Sequence, residues 1–176
     1  MERLKQQKMT LEEFDKLPED NTYTYELIDG ELLMQSRPNV RHQAIMFNLS
    51  IIIGNYLKNK PCRAFTEVEL EINSNVIVPD ISVLCSVDDL DIQRFKQPPA
   101  LIIEILIPSN TVKELKNKIL KYKNHKIKEL WIVDPYTMSI EINNLETSTA
   151  ITQIQSGTVK SNVFPDLEID LSAVFE

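Results

Sequence analysis

The chain has 176 residues, of which 43% are hydrophobic and 26% charged, as is typical of one globular domain with a buried core. No apolar run approaches the roughly 20 residues that a membrane-spanning helix needs, and the N-terminus lacks the apolar core of a signal peptide. Cys62 and Cys85 lack the spacing of a zinc site or a disulfide scaffold, so we expect a cytoplasmic protein with reduced thiols and no membrane contact.

The net charge of −7 is distributed unevenly along the chain. Residues 113–128 contain seven lysines and one glutamate, while acidic residues dominate elsewhere. Proteins that bind nucleic acids usually present basic surface, because neutralising phosphates supplies much of their affinity. The charge pattern therefore argues against a uniformly basic binding surface and permits a local phosphate-binding face.

The N-terminal part of the chain predicts a short helix followed by a β-hairpin. Thr10 and Glu13 have the spacing of a capping box, which opens a helix. Residues 23–35 contain two apolar-rich segments on either side of Asp29-Gly30, a pair that favours a tight hairpin turn.

A long helix and a strand are predicted next. Apolar residues recur at helical spacing over residues 40–58. Residues 65–72 alternate between apolar and acidic side chains, which predicts a strand with one wet face formed by Glu67, Glu69 and Glu71.

The second half of the chain predicts the centre of the fold. Residues 76–85 form a further strand, 87–99 resemble a linker, and 101–107 are aliphatic on both faces, as expected of a central strand. A helix over 111–124 begins with a second capping box, and 130–133 form the next strand. The helix between these last two strands indicates a right-handed crossover within a mixed sheet.

The whole chain, 1–176, is thus predicted to be a single α/β (α+β) domain with the core order αβββαβ over about 23–135. A hairpin precedes this core. Residues 138–155 add another hairpin, and the tail from 163 to 175 packs back as an appendage.

Two acidic residues are unusual for the apolar strands in which they occur. Glu104 lies at the centre of a run of aliphatic residues, and Asp80 follows Val78-Pro79 inside another apolar strand. An unpaired buried carboxylate costs several kcal/mol, so each needs a cation, a proton or hydrogen bonds. Two such residues on neighbouring strands suit Mg²⁺ or Mn²⁺. The alternative for each is a buried salt bridge, or for Asp80 a cap after Pro79.

These residues resemble the pattern of the PD-(D/E)XK nuclease superfamily, and more closely that of the Uma-type family of restriction-endonuclease-like proteins. The resemblance covers about residues 23–135. It depends on a series of segments in the family order: 25–32 (YELIDGEL), 41–45 (RHQAI), 78–83 (VPDISV), 103–110 (IEILIPSN), 118–122 (KILKY) and 129–135 (ELWIVDP).

The resemblance implies a restriction-endonuclease-like mixed sheet flanked by helices, with one or two divalent ions held by Asp80 and Glu104. It implies that Glu26 is an accessory acidic residue. The superfamily's usual lysine, two residues after the glutamate, is absent, since that position is Leu106. In the Uma-type pattern a lysine on the following helix replaces it, here Lys118.

Helical geometry alone leaves the choice of this lysine open, because Lys116 lies at a similar angle on the opposite edge of the apolar stripe. Glu114 stands where the family has aspartate, and it either supports the site or completes the helix cap. His42 is on the buried side of its helix. It is either a core histidine with satisfied hydrogen bonds or, as the resemblance implies, a supporting residue near the metal.

Two further departures from the family pattern concern turns and packing. Ile107 replaces a serine before Pro108, and Lys126 replaces a glycine before the last core strand.

The functional hypothesis is a Mg²⁺-dependent endonuclease that hydrolyses phosphodiester bonds, with DNA as the expected substrate. Cutting both strands of a duplex with one site per chain would suit a homodimer. One alternative is a degenerate nuclease fold that binds nucleic acid or a protein. Another is a structural domain in which Asp80, Glu104 and Lys118 form a buried ionic cluster. The order of the motifs argues against a ribonuclease-H-like nuclease.

Overall fold

A computed structural model describes residues 8–18, 22–36, 38–108, 110–147 and 152–176. Its helices are α1 (Leu11–Phe14), α2 (Val40–Leu57), α3 (Val112–Asn124) and α4 (Leu171–Phe175). Its strands are β1 (Tyr23–Ile28), β2 (Glu31–Ser36), β3 (Cys62–Thr66), β4 (Glu69–Ile72), β5 (Asn75–Ile77), β6 (Ile81–Cys85), β7 (Arg94–Phe95), β8 (Leu101–Ile105), β9 (Glu129–Asp134), β10 (Ser139–Asn144), β11 (Thr152–Ile154), β12 (Thr158–Lys160) and β13 (Glu168–Asp170).

Local sequence signals account for the ends of the helices. The Thr10–Glu13 and Thr111–Glu114 capping boxes form at the starts of α1 and α3, as predicted. Asn39 caps α2 by accepting a hydrogen bond from the backbone N–H of His42. These caps satisfy N–H groups that would otherwise lack partners at the helix ends.

One sheet has six strands within the described residues, in the order β11-β10-β9-β8-β6-β3. β8 and β9 pair in parallel and are joined through α3, while the β3–β6 and β6–β8 pairs are antiparallel. α2, β3, β6, β8, α3 and β9 therefore follow the predicted order αβββαβ. All five residues of β8 are buried, which agrees with its prediction as a central strand.

A second sheet has five strands among the described residues, in the order β2-β1-β5-β4-β7. Its existence corrects the prediction of uninterrupted strands over 65–72 and 76–85. Glu67 has a left-handed backbone conformation with φ of 51°, which separates β3 of the first sheet from β4 of the second. Between β5 and β6, Pro79 lacks the N–H that a continuous strand would use.

Two hydrophobic clusters lie on opposite sides of the six-stranded sheet. One joins α2 to the sheet through residues such as Leu49 and Ile53. The other is formed by residues of both sheets and of α3, including Tyr122. α3 is therefore held at the junction of the two sheets. The segment predicted as a linker, 87–99, also contributes β7 to the five-stranded sheet, because Leu70 and Phe95 pair there.

The C-terminal appendage is attached to the core by a buried carboxylate. Glu129, at the start of β9, is fully buried and accepts hydrogen bonds from the indole N–H of Trp131 and the hydroxyl of Ser161. The backbone N–H groups of Asn162 and Val163 each donate to the same Glu129 oxygen at 2.8 Å. These contacts fix the turn that precedes β13 against the parallel strand pair.

The structure bears on membrane-spanning helices and on the state of the two cysteines. Among the described residues, none of the helices combines the length and apolar character that a bilayer crossing requires. The expectation of reduced thiols is wrong for this structure, in which Cys62 and Cys85 form a disulfide. The pairing follows from strand register, since these two residues face each other across the antiparallel β3–β6 pair.

We expect Cys85→Ser to lower the free energy of unfolding by about 3 kcal/mol, since a bridge across 23 residues restricts the unfolded chain. Urea unfolding measures this effect, and dithiothreitol should destabilise the native chain but not the variant. A thiol count on native protein denatured without reductant provides the direct check. Two reactive thiols there would contradict the bridge.

Candidate active site

Five acidic or basic side chains from separate elements meet at a small cleft where the two sheets adjoin. They are Glu26 of β1, His42 of α2, Asp80 before β6, Glu104 of β8 and Lys118 of α3. All except the fully buried Glu26 line the cleft, whose volume is about 40 Å³. A water molecule needs roughly 10–15 Å³ of such space, so the cleft accommodates only a few water-sized groups.

Lys118 is the cation at the centre of this group. Its Nζ lies 3.0 Å from Glu26 Oε1 and 3.4 Å from Glu104 Oε1, and the whole residue is only 7% exposed. Burial alone would lower the pKa of Lys118, but the charges of Glu104 and Glu26 outweigh burial and raise it above its ordinary value. Lys118 therefore remains an ammonium at any physiological pH.

Glu104 is a buried carboxyl with more negative than positive neighbours. Tyr122, one turn after Lys118 on α3, donates its hydroxyl hydrogen to Glu104 Oε1. Burial raises the pKa of Glu104 to about 7, and the nearby charges of Asp80 and Glu26 add to the rise while Lys118 opposes it. The proton of Tyr122 is held firmly, since burial and the charge of Glu104 raise the pKa of that phenol well above its ordinary value.

Glu26 has a full set of hydrogen-bond donors. Besides Lys118, it accepts from the backbone N–H of Val78 at 2.8 Å and from the side-chain amide of Gln35 at 2.7 Å. Gln35 stands on β2, in the same hairpin as β1. Glu26 therefore anchors Lys118 and holds the chain just before Pro79 against the five-stranded sheet.

Asp80 joins the segment before β6 to both β8 and α2. Its Oδ2 accepts from the backbone N–H of Ile105 at 2.6 Å, and its Oδ1 lies 3.1 Å from His42 Nε2. Burial lowers the pKa of His42, but the hydrogen bond and charge of Asp80 outweigh it, so the net shift is upward. The carboxylate of Asp80 is half-buried and faces the cleft.

The structure distinguishes residues that the sequence left equivalent. Lys118 is buried at the cleft, whereas Lys116 is exposed. Glu114 accepts from the backbone and hydroxyl of Thr111, so it completes the helix cap and does not line the cleft. His42 contacts Asp80 through Nε2, while its buried Nδ1 has no hydrogen-bond partner among the described residues, so the interpretation as a core histidine with satisfied hydrogen bonds is met only in part.

The predicted wet face of residues 65–72 is only partly correct. Glu67 is exposed and lines the cleft. Glu69 and Glu71 are half-buried and ion-paired. Glu69 Oε2 lies 2.9 Å from Arg94 Nε, and Glu71 Oε1 lies 3.1 Å from Lys96 Nζ.

Sequence reasoning missed two donors of the site, Tyr122 and Gln35. Tyr122 falls on the apolar stripe of its helix, but its position four residues after Lys118 places both on one helix face and is the signal that could have identified it. Gln35 faces Thr24 in the hairpin register, close to Glu26. The register of this hairpin is the sequence signal that could have identified Gln35.

Comparisons with known proteins identify the family of the chain and a solved structure with a similar fold. The model of the Uma2 family, described as "Putative restriction endonuclease", matches residues 11–172. A crystal structure of "a putative nuclease belonging to DUF820" from Anabaena variabilis superposes with a TM-score of 0.84 at 25% identity, covering 95% of this chain and 97% of that one. An uncharacterized protein of Synechocystis sp., slr1290, is 24% identical over 139 residues, which cover 77% of this chain and 73% of the relative.

The family model and the similar solved structure place the protein in the nuclease-like class. Because the family model matches most of the chain, the protein belongs to the Uma2 family.

The raised pKa of Glu104 predicts a pH-dependent stability. The folded protein binds a proton with a pKa of about 7, and the unfolded carboxyl has a value of 4.5. The stability contributed by this proton is present below pH 4.5 and is lost as the pH rises through 7. Glu104→Gln cannot titrate, so the stability of the native chain relative to this variant should fall by about 3 kcal/mol across that window.

Urea unfolding at a series of pH values measures this difference. Glu31→Gln, which removes an exposed carboxyl, provides the control for losing one charge. A difference between native and Glu104→Gln that stays constant or grows with pH would contradict the raised pKa.

Proposed function

We propose that this protein is a metal-dependent endonuclease that hydrolyses phosphodiester bonds in DNA. The observation that supports this proposal is the meeting of Asp80, Glu104 and Lys118 at one cleft, within a family described as "Putative restriction endonuclease". We propose that it acts in the cytoplasm. A homodimer, which would allow both strands of a duplex to be cut, remains a prediction.

The residues of the cleft fit a divalent cation. Glu26, Asp80 and Glu104 together outnumber the cation of Lys118, and this excess of negative charge is part of what raises the pKa of Glu104. Among the described residues, no group of three or more His, Cys, Asp or Glu side chains is arranged to hold a metal ion. Two carboxylates are nevertheless sufficient for Mg²⁺, which usually keeps several waters and takes further oxygens from the substrate phosphate.

Asp80 and Glu104 would hold Mg²⁺ or Mn²⁺, which supplies Lewis-acid stabilisation of the phosphate and a more acidic attacking water. The backbone N–H of Ile105 and the ring of His42 orient the carboxylate of Asp80 from two sides. Tyr122 does the same for Glu104. Residues that fix the orientation of ligands in this way raise the precision of a metal site.

Lys118 acts as a permanent cation in this proposal. Its raised pKa argues against the role of general base, since a base must be able to lose its proton. The ammonium instead stabilises the negative charge that develops on the phosphoryl oxygens. Glu26, which the resemblance implied to be an accessory acidic residue, is then a positioning residue that holds the ammonium at the cleft.

Calorimetric titration with Mn²⁺ tests the metal site. We expect the native chain to bind Mn²⁺ and Glu104→Gln to lose at least tenfold in affinity, because one of two carboxylate ligands is replaced by an amide. Asp88→Asn, which changes an exposed carboxylate outside the cleft, serves as the matched control. Equal affinity in the native chain and in Glu104→Gln would contradict the proposed site.

A cleavage assay on supercoiled plasmid and on labelled duplex DNA with Mg²⁺ tests the reaction. Asp80→Ala and Lys118→Ala should each reduce cleavage by at least a hundredfold, since each removes a group that acts on the transition state. Lys58→Ala, an exposed lysine beyond the end of α2, is the control. Full cleavage by both site variants would refute the proposal.

The buried ionic cluster is itself the observation that favours the alternative of a non-catalytic domain. In the structure Lys118 is ion-paired with Glu26 and Glu104. Replacing these three residues by uncharged ones, Glu26→Gln, Glu104→Gln and Lys118→Met, tests that alternative, because such replacements are often neutral or stabilising. A native chain that neither binds Mn²⁺ nor cleaves DNA, with a triple variant that is more stable, would favour a structural or binding module.

A further inference from the structure

The two faces of α3 differ in burial. On the inner face, Lys118 and Tyr122 are buried at the candidate active site. What we name the outer face of α3 consists of five of its exposed side chains, Val112, Lys113, Lys116, Leu120 and Lys123. These positions recur every three or four residues, so they lie along one side of the helix.

The inner and outer lysines also differ in their partners. Lys118 is paired with carboxylates of the cleft, and Lys121 with the turn between β1 and β2. Lys113, Lys116 and Lys126 make no ion pair with any residue in the part of the chain that the structure describes. Their charges are left for solvent or for an external anion.

The remainder of the chain would repel such an anion. Residues 113–128 carry a net charge of +6. Because the whole chain carries −7, all other residues together carry −13. A polyanion is therefore attracted to one region of the surface and repelled by the rest. This contrast selects an orientation as well as supplying affinity.

The outer face begins beside the cleft. Asn110, just before α3, and Lys118 both line the cleft, and Lys113 and Lys116 lie between them in the chain. An α-helix with its side chains is about 10 Å across. A nucleic-acid strand advances about 3.4 Å along its axis per nucleotide, so about three nucleotides cross the width of the helix. The outer face therefore lies about three nucleotides from a phosphate in the cleft.

We propose that the outer face of α3 binds the sugar–phosphate backbone of a polynucleotide, about three nucleotides from the cleaved bond. The inference rests on the proposed function and adds the surface that binds the substrate away from the cleaved bond, which a mononucleotide or a small diester could not reach from the cleft. Lys113 and Lys116 are the principal contacts, and Lys126 extends the same basic region beyond the helix.

Fluorescence anisotropy with a labelled 20-nucleotide DNA, as single strand and as duplex, tests the proposal. Binding is measured without divalent metal at several salt concentrations, so that cleavage plays no part. Lys113→Gln with Lys116→Gln should weaken binding about tenfold at low salt. The slope of log affinity against log salt should become shallower by about 1.8 for duplex or about 1.4 for single strand. Lys58→Gln with Lys60→Gln removes the same charge from another surface and is the matched control.

Loss of slope confined to the α3 double variant, with an unchanged melting temperature, supports the proposal. Equal loss in the control variant would overturn it, because net charge alone would then explain binding. Vesicles of phosphatidylserine and phosphatidylcholine test the other polyanionic surface, since Val112 and Leu120 are exposed on the same face. Binding to vesicles but not to DNA would also overturn it.

The outcome for α3 is separable from that for the active site. DNA binding through Lys113 and Lys116 without any cleavage would leave the surface established and remove the proposed function. If the native chain cleaves DNA and the α3 double variant binds DNA with the same affinity as the native chain, the proposed function is supported and the binding surface on α3 is refuted.

Discussion

The buried ammonium of Lys118 is the interaction on which the rest of the arrangement depends. It lies between Glu26 of one sheet and Glu104 of the other, and α3 carries it to their junction. Replacing one member of a buried ion pair lowers the stability of a fold by about 3–5 kcal/mol, because the remaining charge is left buried without a partner. The two sheets and α3 are therefore held in one relative position by the same charges that form the cleft.

That position requires the chain to leave each sheet at a defined point. The left-handed backbone of Glu67 separates β3 from β4, and Pro79 separates β5 from β6. The second break has a further effect, because Asp80 follows it and reaches the backbone N–H of Ile105. A strand that ran continuously through these residues would keep Asp80 in one sheet, away from the junction.

Much of this could be predicted from the sequence, for reasons that are local. Helical periodicity and capping residues defined α2 and α3, and the aliphatic run around Glu104 identified the central strand. The strand breaks were not predictable from alternation, because an apolar–acidic pattern is the same whether its residues belong to one sheet or two. The Cys62–Cys85 pairing and the bond from Tyr122 to Glu104 depend on register and packing between distant segments, which spacing along the chain does not reveal.

Glu129 has a similar importance for the outer part of the fold. Its buried carboxylate is matched by donors from Trp131 and from the turn at 161–163. Replacing the glutamate alone would leave those buried donors without an acceptor. Changing the turn alone would leave the buried carboxylate without its donors. The glutamate and the turn therefore depend on each other for their hydrogen bonds. Relatives in this family are therefore expected to keep both or to lose both together, so that the sequence of the turn at 161–163 should vary together with the residue at position 129.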